Sequence, residues 1–148
     1  MKIAIGNDPN AKELKEIIIR YVESLGHECL DFGGEDLIYA NVAIKVAEEV
    51  AIGNYDRGIL ICGTGIGMCI AANKVKGAYA ALVNNVYQAQ RAQLSNKANI
   101  ITLGAQVIGS EVAKMIISEY LNCEFDQKSP SFKKIVRIIE YEKKAGIS

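Results

Sequence analysis

The run Gly58-Ile-Leu-Ile-Cys62 limits what this chain can fold into more than any other stretch. It carries no polar side chain before the cysteine, so it reads as a strand buried on both faces. Strands of that kind belong to parallel sheets with helices packed on either side. The flanking sequence supplies the helices. Lys12 to Leu25 places Leu14, Ile17, Ile18, Tyr21, Val22 and Leu25 on one helical face, and Gly26 ends it. Asn41 to Ile52 repeats the pattern with Val42, Val46, Ala47 and Val50, and Gly53 closes it.

Further strands are expected at Lys2 to Gly6, His27 to Phe32, Ala78 to Val83 and Asn99 to Leu103. Further helices are expected at Gly65 to Lys74, Val86 to Leu94 and Glu111 to Leu121, with a last one from Ser131 to Lys144 begun by a Ser-Pro-Ser cap. This alternation implies one α/β Rossmann-like domain over residues 1–148. Its five-stranded parallel sheet, in the order 2-1-3-4-5, carries helices on both faces and a C-terminal helix.

In such sheets ligands bind beyond the carboxyl ends of the strands, where the strand order reverses, here between strands 1 and 3. Strand 1 ends in Gly6-Asn-Asp8-Pro9, and strand 3 in Cys62-Gly-Thr-Gly-Ile-Gly67. The second segment runs straight into a helix. Its glycines let backbone N–H groups turn toward an oxyanion, and a helix N-terminus adds positive potential that favours a thiolate at Cys62. A base beside an oxyanion cradle is what proton transfer next to a carbonyl requires. A cysteine closing a buried strand can equally be a small core residue, and Asp8 can equally cap the first helix.

Composition removes other classes. Lys plus Arg and Asp plus Glu are each 17, which favours neither nucleic acid nor a membrane surface as partner. Cys29, Cys62, Cys69 and Cys123 include no Cys-x-x-Cys pair, and the only histidine is His27, far from them. That is a poor zinc set and a poor redox motif, and it reads as a cytoplasmic chain with free thiols. The amino terminus lacks a signal-peptide layout, and no apolar run reaches membrane length.

Taken together, several segments resemble the ribose-5-phosphate isomerase B and galactose-6-phosphate isomerase family. They are Lys2-Ile-Ala-Ile-Gly-Asn-Asp8, Gly58 to Gly67, Ala71-Ala-Asn-Lys74, Asn99-Ile-Ile-Thr-Leu-Gly104 and Val107-Ile-Gly109. The resemblance implies an aldose–ketose isomerase of a small sugar phosphate with no metal or organic cofactor. It makes Cys62 the catalytic base. Thr64 and the amides of Gly63, Gly65 and Gly67 would hold the enediolate oxygens. Asp8 would contact sugar hydroxyls, and Tyr39 would line the site. Asn96 would come from a second subunit, in a homodimer or dimer of dimers with shared sites. Lys134, with Lys133 beside it, is the nearest counterpart of the family's phosphate-binding arginines.

Two departures bear on the substrate. Pro9 stands where the family carries a histidine, and Ser95 stands where a ring-opening histidine is expected. A tetrose 4-phosphate cannot close a furanose ring and needs no such group. Tyr39-Ala-Asn41 and Ala92-Gln-Leu-Ser-Asn96 also resemble the branch acting on erythrulose 4-phosphate. The expected reaction is therefore erythrulose 4-phosphate to erythrose 4-phosphate. The alternatives are an ordinary ribose-5-phosphate isomerase and a sugar-phosphate-binding subunit of a hetero-oligomer.

Overall fold

The computed structural model describes residues 1–146; Ile147 and Ser148, the end of the expected domain, lie outside them. A parallel sheet of β1 (Lys2–Asn7), β2 (Glu28–Asp31), β3 (Arg57–Cys62), β4 (Ala80–Leu82) and β5 (Ile100–Gly104) forms the middle layer. Around it run α1 (Lys12–Ser24), α2 (Tyr39–Ala51), α3 (Ile66–Ala72), α4 (Val86–Leu94), α5 (Ser110–Asn122) and α6 (Phe132–Lys144).

The strand order is β2-β1-β3-β5-β4, which corrects the expected 2-1-3-4-5 by exchanging the last two strands. Burial explains the exchange. All five residues of β5 are buried, and Ile100, Ile101 and Leu103 fill both faces, whereas β4 is three half-buried residues, Ala80-Ala81-Leu82. The bulkier apolar strand takes the interior position beside β3, and the short one takes the edge. The reversal between β1 and β3 is unaffected.

Alternation along the strands divides the core. Ile3, Ile5, Ile59, Ile61, Ile101 and Leu103 face α1, α4 and α5. Ala4, Leu60, Cys62 and Ile100 face α2 and α3, through Val42, Val46, Met68 and Ala72. The expected start of α6 needs a second correction. Ser131 lies in a helical conformation and makes no side-chain cap bond; the hydroxyl of Ser129 accepts its amide instead, at 3.2 Å.

Two polar ties cross between layers. Lys15, on the buried side of α1, holds Asp31 at 2.9 Å, and Asp31 also accepts the Gly33 amide. Arg57 opens β3 with its guanidinium buried. It donates to the carbonyls of Tyr120 and Cys123 at the end of α5, and lies 4.8 Å from the centre of the Tyr120 ring.

Candidate active site

β1 and β3 end side by side. Asn7 pairs with Ile61, and the Asp8 amide donates to the Ile61 carbonyl at 3.0 Å, which sets Asp8 next to Cys62. Asp8 is 9% exposed. Its Oδ1 accepts the Asn10 amide at 3.0 Å and so caps the 3-10 turn Pro9–Ala11, while Oδ2 makes no hydrogen bond among the described residues. The capping reading and the site reading therefore fall on different oxygens of one carboxylate. Pro9 supports the turn, since a proline at the first helical position forfeits no needed N–H. Behind Asp8, the Asn7 side chain is 1% exposed and donates to the Asp8 carbonyl at 2.8 Å.

Cys62 is 5% exposed, and the Gly65 amide donates to its Sγ at 3.0 Å. Two other cysteines sit beside carboxylates. Burial, Glu23 and Asp31 push the Cys29 thiol up to about 12, and burial with Glu119 raises Cys123.

The loop keeps its shape through backbone contacts. Gly65 has φ +80°, and a Cβ there would come within 2.9 Å of the Leu103 carbonyl carbon, so glycine is required on both grounds. Its carbonyl accepts the hydroxyl of Thr102 at 2.9 Å. The Ala105 and Gln106 amides donate to the carbonyls of Cys62 and Gly63, at 2.8 and 3.0 Å. Thr64 is exposed, with Oγ1 accepting the Ile66 amide at 3.2 Å. Tyr39, the first residue of α2, lays its ring on Gly67; any side chain at Gly67 would collide with that ring.

The structure thus brings together Asp8, Cys62, Gly63, Thr64, Gly65, Gly67 and Tyr39. Asn96 and Lys134 lie elsewhere in the same chain. α4 runs back along the sheet, so exposed Asn96 falls just before β5, whose entry residue Asn99 accepts the Gly58 amide at the start of β3. Cys62 is four residues further along β3, about 13 Å at strand rise. Lys134 stands beside Ile135, which lines a cavity of about 410 Å³ with Arg57, Lys97 and Asn99 at that same far end. Ser95, next to Asn96, accepts Arg91 Nε at 2.7 Å.

Thr102 and Gln106 support the loop, and sequence reasoning missed both. A lone hydroxyl within Ile-Ile-Thr-Leu, in a strand buried on both faces, was the available signal for Thr102. Gln106 acts through its backbone amide, which leaves no mark on residue type.

Residues 3–138 match the family model described as Ribose/Galactose Isomerase. The chain belongs to that family. Family relatives carry more than one activity in their names. The chain is 47% identical over 146 residues to a D-erythrulose-4-phosphate isomerase of Pectobacterium atrosepticum, covering 96% of this chain and 95% of that one. It is 48% identical over 128 residues to a ribose-5-P isomerase B of Listeria innocua, covering 84% and 86%. The solved fold of Clostridium thermocellum ribose-5-phosphate isomerase B overlays with TM-score 0.93 at 42% identity, over 99% of this chain and 100% of that one. As a family member the chain is an isomerase that interconverts the aldose and ketose forms of a sugar phosphate. Among the described residues, no helix is long and apolar enough to cross a membrane.

Proposed function

We propose that Cys62 is the base of this isomerisation. The observation that carries the reading is a buried thiol beside Asp8, with the Gly65 N–H aimed at its sulfur. The thiolate takes the proton from C2 of the aldose. The C–H electron pair becomes a C1–C2 double bond and the carbonyl pair moves to O1, giving an enediolate. The O2 proton passes to O1, the Cys62 thiol returns its proton to C1, and the C2–O2 bond becomes the ketose carbonyl. Thr64 and the amides of Gly63 and Gly67 surround the enediolate oxygens, the Gly65 amide stays on the Cys62 sulfur, Asp8 holds sugar hydroxyls through its second oxygen, and Tyr39 walls the site. No metal or organic cofactor enters this scheme.

For the substrate, ribose 5-phosphate and ribulose 5-phosphate have the broader support, since the Listeria relative and the Clostridium fold both bear that activity in their names. A specific observation favours a second reading, erythrulose 4-phosphate. Ser95 stands in the ring-opening position with its oxygen already accepting from Arg91, and the Pectobacterium relative carries the tetrose name. A panel of tetrose, pentose and hexose phosphates read as kcat/KM decides between them. Preference for ribose 5-phosphate eliminates the tetrose reading. Preference for the tetrose, with poor use of cyclic aldoses, eliminates the pentose one.

The far placement of Asn96 and Lys134 supports a homodimer, or a dimer of dimers, in which a second protomer completes each site. Mixing inactive Cys62→Ala and inactive Asn96→Ala protomers, after dissociation and reassociation, is expected to restore turnover, because one site of each mixed dimer is then intact. A mixture that stays inactive would remove the shared site. Four unpaired cysteines support a cytoplasmic setting.

A further inference from the structure

Tyr39 is the first residue of α2, and the first turn of a helix is as firm as its cap. The N-cap residue, Ile38, has no side chain able to cap. Asp36 takes that part from two residues upstream. One of its oxygens accepts the Ile38 amide at 2.8 Å, and the other accepts the Asn41 side-chain amide at 2.9 Å. These two hydrogen bonds hold the Asp36 carboxyl below the usual carboxylate range, so the charged form makes the contact. Asp36 and Asn41 thus bracket Tyr39 from both sides in sequence. Upstream, the same segment is anchored where Gly33 meets Asp31 and Asn7. Leu37 and Ile38, by contrast, are 87% and 63% exposed and provide no packing anchor of their own.

Downstream, the ring of Tyr39 rests on the backbone of Gly67, in the first turn of α3 after the Cys62 loop. Any drift of the first α2 turn moves that ring across the loop. We propose that Asp36 and Asn41 form a clasp that fixes Tyr39 over Gly67 and so sets how tightly the site holds its sugar phosphate. Both are positioning residues; the contact itself is made by the tyrosine ring. The inference rests on the isomerase reading above and adds what positions one wall of its site. It gives Asn41, within Tyr39-Ala-Asn41, a physical task.

The test uses Asn41→Ala together with the exchanged pair Asp36→Asn/Asn41→Asp, which rebuilds the hydrogen bond with donor and acceptor reversed. Asn41→Ala is expected to speed amide hydrogen exchange over residues 37–41 and 66–69 by about tenfold while β3 stays protected. It should also raise KM for the preferred sugar phosphate about tenfold with little change in kcat, because one charge-assisted contact positions the wall and not the base. The exchanged pair should recover both readings. Unaltered exchange over 66–69 would overturn the clasp, and altered exchange with an unaltered KM would overturn its role in substrate binding. These outcomes differ from failure of the isomerase reading, in which the wild-type chain would turn over no sugar phosphate while exchange over 66–69 still reports on the clasp.

Discussion

Cys62→Ala will yield a folded protein that still binds sugar phosphate and does not isomerise it. Cys62 is nearly sealed against α2 and α3, and losing one sulfur atom from a site bordered by Leu60, Met68 and Ala72 leaves a small gap, so the fold tolerates the change. The neighbouring Asp8 does not replace it: Oδ1 holds the Asn10 amide, and Oδ2 is the oxygen assigned to sugar hydroxyls. General-base catalysis contributes roughly 10² to 10⁴ in rate, so kcat should drop by about 10³ or more with KM almost unmoved. Cys62→Ser preserves volume but replaces the thiol with a far weaker acid, and it should fall nearly as far. Turnover within a few-fold of wild type in either variant would remove Cys62 from the role of base.

Arg57→Met will give the largest loss of stability. The arginine is 4% exposed and supplies donors to the carbonyls of Tyr120 and Cys123 at the end of α5, where the Tyr120 carbonyl otherwise accepts only the Cys123 amide, at 3.4 Å. Its ion pair with Glu124 matters less, because that carboxylate is 78% exposed and returns to water when the cation is removed. Methionine fills much of the volume but leaves the Cys123 carbonyl without a donor and the Tyr120 carbonyl with only the long bond from the Cys123 amide, at a cost of about 2 kcal/mol in total. Arg57→Lys should recover little of this, since an ammonium cannot reach two carbonyls with a rigid fork. The measurement is urea unfolding, with a lower midpoint and an unchanged slope. A wild-type midpoint would show that the guanidinium contributes nothing net.

The fold was legible wherever side-chain type reports burial. Gly58 to Cys62 announced a central strand, and Val42, Val46 and Val50 announced the face that covers it. Strand–helix alternation does not encode the order of the last two strands, and the order common to such sheets placed them wrongly; three half-buried residues at Ala80–Leu82 cannot replace Ile100, Ile101 and Leu103 in the interior. The site was legible where glycine and cysteine types carry it, from Cys62 to Gly67. Its supports act through main-chain groups, as at Ala105 and Gln106, or across the sheet, as from Thr102 to Gly65, and residue identity alone does not encode such pairings. Asn96 and Lys134 show the complementary limit. A resemblance can name them, but only the direction of α4 and the seat of α6 reveal that they stand at the opposite end from Cys62.

β3 is buried at all six positions. It is fastened at its first residue by Arg57 to the end of α5, and at its last by the amides that follow β5. A strand secured at both ends has no slack of its own. Local fluctuation that would release Cys62 from β3 has to break either α5 from the sheet or β5 from β3, and each of those is a substantial part of the domain core. The Cys62 sulfur therefore sits in a firmly held part of the core. Amide exchange at Cys62 is expected to follow global unfolding, and mobility for substrate entry to come from the surrounding segments.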